Sequence, residues 1–187
     1  SNYDYIKSKE KFTKLFDSHP QDLGVGKEYW WGINTKYSSS LKFGNSFKNE
    51  SVVVDYLQSK DLKWNTFGFS PYNWMHVDIS SIYRTSAIKF KIKANELPKL
   101  KVFLFSYKGK KRRLQIVLND SNFINRGDGI YDAYLPLKSL EEHEKFTWES
   151  FKEIRFKVLS GNQFEVGNFQ LIEFRGNPQK PTQWKGI

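Results

Sequence analysis

The stretch Ile88-Lys89-Phe90-Lys91-Ile92-Lys93 alternates apolar and charged residues without a break. Side chains of a β-strand point alternately to opposite faces, so this is an amphipathic strand with Ile88, Phe90 and Ile92 turned inward. A helix would scatter the same residues around its circumference. Ile154-Arg155-Phe156-Lys157-Val158 repeats the pattern and turns Arg155 and Lys157 to solvent. Working outward from these two, short strand-like segments fall at 29–34, 40–43, 51–58, 63–70, 101–107, 112–119, 130–137 and 163–174. Lys108-Gly109, Asn125-Arg126-Gly127-Asp128-Gly129 and Ser160-Gly161-Asn162 supply turns between them. A regular series of strands predicts an all-β fold, a two-sheet antiparallel sandwich or jelly roll, over residues 25–175. Ahead of it, Tyr5, Ile6, Phe12, Leu15 and Phe16 recur at helical spacing until His19-Pro20. They predict a short helix over 3–18, within an extension or linker over 1–24. The tail 176–187, with Pro178 and Pro181, reads as a second linker.

Composition narrows the chemistry. The 187 residues contain no cysteine, which excludes a disulfide scaffold, a thiol nucleophile and zinc–cysteine or iron–sulfur sites. No apolar run approaches the roughly 20 residues of a membrane-spanning helix, so membrane insertion is not expected. His19, His76 and His143 are far apart, and HExxH, GxGxxG, GxxxxGK[ST] and GxSxG are all missing. Aromatic residues make up 17% of the chain, with 16 Phe, 10 Tyr and 6 Trp. That is more than one modest core requires, so some rings are expected at a binding surface. The net charge of +10 suits an anionic partner, although alternation assigns many lysines to solvated strand faces.

Four segments lack a purely polar outer face. Opposite core-facing Val102 and Leu104 stand Phe103, Phe105 and Tyr107; opposite Leu114 and Ile116 stand Arg113 and Gln115. Opposite Ala133 and Leu135 stand Asp132 and Tyr134, and Trp64 points away from Phe67 and Phe69. If these strands are neighbours, one sheet carries rings interleaved with Arg, Gln and Asp. Rings stack on the C–H face of a pyranose while such polar groups bond its hydroxyls, so the pattern is that of a sugar site. A covering helix or loop is the competing explanation. In Ser70-Pro-Tyr-Asn-Trp-Met-His76, Tyr72 or Trp74 either rims that groove or plugs one end of the sandwich. Of the adjacent Trp30 and Trp31, only one can face the core.

Several pieces resemble the galactose-binding-like jelly-roll carbohydrate-binding modules attached to polysaccharide-degrading enzymes. They are Ser51-Val-Val-Val-Asp55-Tyr56, Trp64-Asn-Thr-Phe-Gly-Phe69, Val77-Asp78-Ile79-Ser80, Tyr131-Asp-Ala-Tyr-Leu-Pro-Leu137 and Val166-Gly-Asn-Phe-Gln-Leu171. Gly167 departs from the Asp of that last pattern. The resemblance spans about residues 29–174 and implies a concave groove holding Arg113, Gln115, Asp132 and Tyr134, with Trp64 and Tyr107 beside them. Adding Phe105 and Trp74 gives the expected carbohydrate-binding set. The resemblance further implies a non-catalytic module of a secreted, cell-surface or periplasmic bacterial protein, joined to a catalytic domain. It would bind a polysaccharide, either β-glucan-like or acidic. The neutral polymer is favoured, because most lysines fall on faces that point away from the groove. No cofactor is required; the structural calcium often found in this fold would draw on Glu50, Asp78 or backbone carbonyls.

Other classes stay open. A lyase of this fold would show Arg-x-Glu-x-Arg and Gln-Ile-His, but Gln115-Ile116-Val117 lacks the histidine. A glycosidase would need paired carboxylates, for which Asp55 and Asp132 are the candidates. Lys108-Gly-Lys-Lys-Arg-Arg113 could contact nucleic-acid phosphates, yet it spans a turn where basic residues are ordinary. The aromatic face could also dock a protein.

Overall fold

The computed structural model describes residues 14–15, 20–23, 26–32, 42–48, 51–55, 66–71 and 75–175. The alternating stretches form strands in two antiparallel sheets packed face to face. The first sheet contains β1 (Lys14–Leu15), β3 (Trp30–Trp31), β6 (Thr66–Phe69), β7 (Val77–Asp78), β9 (Lys99–Ser106), β10 (Arg113–Val117) and β13 (Phe151–Ser160). The second contains β2 (Gln21–Asp22), β4 (Lys42–Gly44), β5 (Ser51–Asp55), β8 (Ser86–Ala94), β11 (Phe123–Gly127), β12 (Ile130–Pro136) and β14 (Gln163–Glu173). Pairing in the first runs β10–β9–β13–β6–β3, and in the second β11–β12–β8–β14–β5–β4. From β8 onward the chain passes repeatedly between sheets, with hairpins β9–β10 and β11–β12 kept within one sheet. This is a jelly-roll β-sandwich.

Two expectations need correction here. Of the helix expected over 3–18, only Lys14 and Leu15 are among the described residues, and they pair as a strand, parallel to β7. Helical spacing over so short a run does not outweigh an open sheet edge that offers backbone partners. The remainder of that segment, and the tail 176–187, lie outside the described residues. Secondly, β11 was hidden within the Asn125–Gly129 turn signal. The turn itself is tighter: Gly127, Asp128 and Gly129 all take positive φ, and β11 pairs with β12 through a bulge.

The core absorbs most of the aromatic residues among those described. Phe67 stacks on Phe156 (centroids 5.1 Å apart) and Phe90 on Phe169 (4.9 Å), while Trp30 packs on Phe69 (4.5 Å). All six are buried, so rings make up much of the core. One backbone irregularity is needed to assemble it. Phe164 and Val166 face inward, yet Phe169 and Leu171, of opposite parity, are buried too. A register shift between Gly167 and Gln170, with Asn168 at φ 56°, inserts the extra residue that changes the face. At one end, Trp148 stacks on Tyr83 (4.4 Å), and its indole N–H donates to the His143 carbonyl (2.7 Å). Trp148 is therefore an end plug of the kind considered for Trp74, which lies outside the described residues.

Candidate functional site

Register places the outward residues of the first sheet in rows. Gln115 lies opposite Phe103, Phe103 opposite Arg155, Arg155 opposite Gly68, and Gly68 opposite Trp31. In the neighbouring row Arg113 faces Phe105, and Phe105 faces Glu153. Because Trp30 is core, alternation turns Trp31 outward. Gly68 gives its indole room: a Cβ there would sit 2.5 Å from the Ile154 carbonyl oxygen and 2.9 Å from Trp31 Cζ2. The ring therefore lies low across the sheet.

A polar clamp fixes this platform. The Trp31 indole N–H donates to Glu153 Oε1 (3.0 Å), and Arg155 donates from Nε and an Nη to the two Glu153 oxygens (2.9 and 3.1 Å). The same guanidinium lies 3.9 Å from the Phe105 ring centroid and 5.4 Å from that of Trp31. Arg155 is thus held by charge on one side and by two π faces on the others, and such a bidentate, stacked site needs arginine in particular. Further along, Tyr107 is 40% exposed and lies parallel to His76 (5.0 Å), with Lys152 Nζ 5.4 Å from its centroid.

Of the residues singled out in the sequence, Phe105, Tyr107, Arg113 and Gln115 share this face. Trp64 and Trp74 lie outside the described residues. Asp132 and Tyr134 do not join it: they belong to β12 of the second sheet, and both are buried. Their outward parity was read correctly, but β12 pairs with β8 and β11 rather than with β9 or β10. There Tyr134 packs with Ala87 and Phe174. Asp132 accepts from Lys91 Nζ (2.7 Å) and Arg126 Nε (2.8 Å). Burial raises the Tyr134 hydroxyl to about 12, aided by the Asp132 charge. Burial alone would also raise Asp132, but hydrogen bonds from Lys91 and Arg126 outweigh it and hold the carboxyl below its usual value.

These groups hold the second sheet together, with a consequence in acid. A carboxyl whose folded pKa is depressed stabilises the protein above its unfolded value, near 3.9, and loses that contribution as pH falls through the folded value. Asp132→Asn is expected to lower stability by about 1–3 kcal/mol at neutral pH. The gap to the wild type should narrow as pH falls below the unfolded carboxyl value and through the depressed folded one. Thermal melts across pH check this; a gap unchanged in acid would refute it.

Trp31, Glu153 and Arg155 were not singled out as site residues. Arg155 was legible as outward but looked like an ordinary solvated charge, and Trp31 was recognised only as half of a pair. The linking signal is Gly68, a glycine inside a strand, which marks close approach by another group. Gly68→Ala is expected to destabilise by roughly 1–3 kcal/mol, because its Cβ meets backbone, and to lift Trp31 from the sheet. A chemical melt together with tryptophan emission reads both effects; unchanged emission would contradict the close contact.

Asp78, named above as a calcium ligand, has its carboxylate engaged in a turn: Oδ1 accepts from the Ser80 amide (2.9 Å) and hydroxyl (2.6 Å). No group of three or more His, Asp or Glu converges among the described residues, and Glu50 lies outside them.

Two packed antiparallel sheets with this crossing pattern define a jelly-roll sandwich. Solved structures share it. A family 30 carbohydrate-binding module of a cellulosomal cellulase of Clostridium thermocellum matches with a TM-score of 0.53 at 13% identity, over 86% of this chain and 96% of that one. A family 11 module from Clostridium thermocellum, in complex with a β-1,3-1,4-mixed-linked tetrasaccharide, matches with a TM-score of 0.51 at 13% identity, over 82% and 95%. The larger PfGH50B matches at 0.55 and 13% identity, over 86% of this chain but 24% of its own. At such identity the likeness establishes the fold. No protein-family model and no curated protein sequence matches the chain.

Proposed function

We propose that this protein is a non-catalytic carbohydrate-binding module that holds a polysaccharide chain across the outer face of β10, β9, β13, β6 and β3. The carrying observation is the Trp31–Glu153–Arg155–Phe105 cluster over Gly68. A flat indole and a flat guanidinium, locked at fixed height beside half-buried Phe103 and Phe105, form a preorganised stacking surface. Arg113 and Gln115 border it with hydrogen-bonding groups. Sugar rings stack on such surfaces with little ordering cost, because the rings are already immobile.

Hydrolysis is disfavoured by the same residues. Glu153 is the one acidic residue within these five strands, and its oxygens already engage Arg155 and Trp31. A glycosidase needs two carboxylates across the bond. The arrangement that favours a lyase is Tyr107 beside His76 and Lys152, yet the two rings lie face to face, as a platform does. Incubation with β-glucan, polygalacturonate and alginate is expected to release neither reducing ends nor unsaturated products. Sustained release of either would overturn the non-catalytic reading.

The wider proposal is that the domain over 25–175 is joined through 1–24 and 176–187 to a catalytic or surface-bound partner and takes it to polysaccharide outside the cell. Two solved structures with this fold, one a cellulase module and one a quarter of a larger chain, support that organisation. The basic Lys108–Arg113 segment fits it as a solvated hairpin. Lys108, Gly109 and Lys110 are exposed, and Lys111 pairs with Glu142 at 2.5 Å.

A further inference from the structure

Charge is distributed unevenly between the two sheets. The strands of the second sheet carry Lys42, Lys89, Lys91, Lys93 and Arg126, balanced by Asp22, Asp55, Asp132, Glu165 and Glu173. In the first sheet, β9, β10 and β13 alone carry Lys99, Lys101, Arg113, Lys152, Arg155 and Lys157 against Glu153. Glu153 is already matched by Arg155. No carboxylate among the described residues pairs with Lys101, Arg113 or Lys157. Lysines on this face therefore do not point away from the groove, as the preference for a neutral polymer assumed.

Their placement is specific. Lys101 Nζ and Arg113 Cζ lie 5.2 and 6.0 Å from the centroid of the same ring, Phe103. Lys157 stands directly opposite Lys101 across the strand pair, both on the outer face. Like charges directly opposed in a sheet are destabilising unless something neutralises them. Arg113 and Lys157 are exposed, as are Gln115 and Val117, so the surface is open to a ligand here.

We infer that the ligand is an anionic polysaccharide whose carboxylate or sulfate groups meet Lys101, Arg113 and Lys157 while a sugar ring stacks on Phe103. The inference rests on the proposed carbohydrate-binding function and names the ligand class of that face. Uronate and sulfate share the chemistry that these cations recognise: a compact anion on a ring with an apolar face. A nucleic acid would also supply anions. The polysaccharide follows from the carbohydrate-binding reading of this face, and a nucleic acid is one outcome of the test.

Affinity electrophoresis and titration calorimetry can separate these cases with six probes. They are polygalacturonate and its carboxyl-reduced form, carrageenan and its desulfated form, mixed-linkage β-glucan, and oligo-dT. One or both anionic polymers should bind about tenfold or more tighter than their neutralised forms and weaken steeply with salt. The uronate and sulfate pairs report independently which anion is used. Lys101→Gln and Arg113→Gln should each lose about fivefold to tenfold, whereas exposed Lys138→Gln, with the same charge change, should bind like the wild type. All three positions lie at the surface, and a melt confirms folding. If neutral polymers bind as well as charged ones, the acidic class is wrong while the carbohydrate reading stands. If oligo-dT outcompetes every glycan, or no glycan binds, both fail.

Discussion

Phe169→Ala is expected to lower folding stability by about 3–5 kcal/mol. Phe169 is 1% exposed and touches Phe69 (centroids 4.7 Å apart), Phe90 (4.9 Å), Phe156 (5.5 Å) and Trp30 (5.7 Å), so its ring joins both sheets at the centre of the sandwich. Deleting it removes the transfer energy of a large ring and leaves a cavity that rigid strands on both sides cannot close. Phe169→Leu should recover a substantial part of the loss. Urea unfolding of the three proteins checks this; an alanine variant within about 1 kcal/mol of the wild type would mean that Phe169 is not the central ring.

Trp31→Ala carries the largest expected effect on binding, about 2 kcal/mol or more, near thirtyfold in Kd. It removes the stacking surface and also the indole N–H that holds Glu153, loosening the Arg155 clamp. Trp31→Phe should retain part of the affinity by keeping a ring without its hydrogen bond. Glu153→Gln should weaken binding less than Trp31→Ala but release Arg155, seen as greater salt sensitivity. Wild-type affinity in Trp31→Ala would remove the platform from the site.

How much of this was legible beforehand depended on range. Alternation over 88–93 and 154–158 is local, and the strands it implies are present as β8 and β13. The outward parity of Phe105, Arg113 and Gln115 was equally local. Sheet membership is not local, since hydrogen-bond partners come from distant segments. Asp132 and Tyr134 have the right parity on the wrong sheet, because β11 intervenes between β10 and β12 and carries the chain across the sandwich. The Trp31–Gly68–Arg155 row needs three segments far apart in sequence to be brought into register. Phe169 shows a third limit: without the bulge at Asn168, strict alternation would place it opposite Val166.

Glycan is expected to bind the outer face of the first sheet. The most direct measurement is an amide and indole NMR titration with a mixed-linkage tetrasaccharide and with tetragalacturonate. Shift changes are expected at the Trp31 indole N–H and the amides of 101–107, 113–117 and 153–157, with those of 87–93 and 130–136 unmoved. Changes concentrated on 87–93 and 130–136 would put the ligand on the opposite sheet and contradict binding at the first.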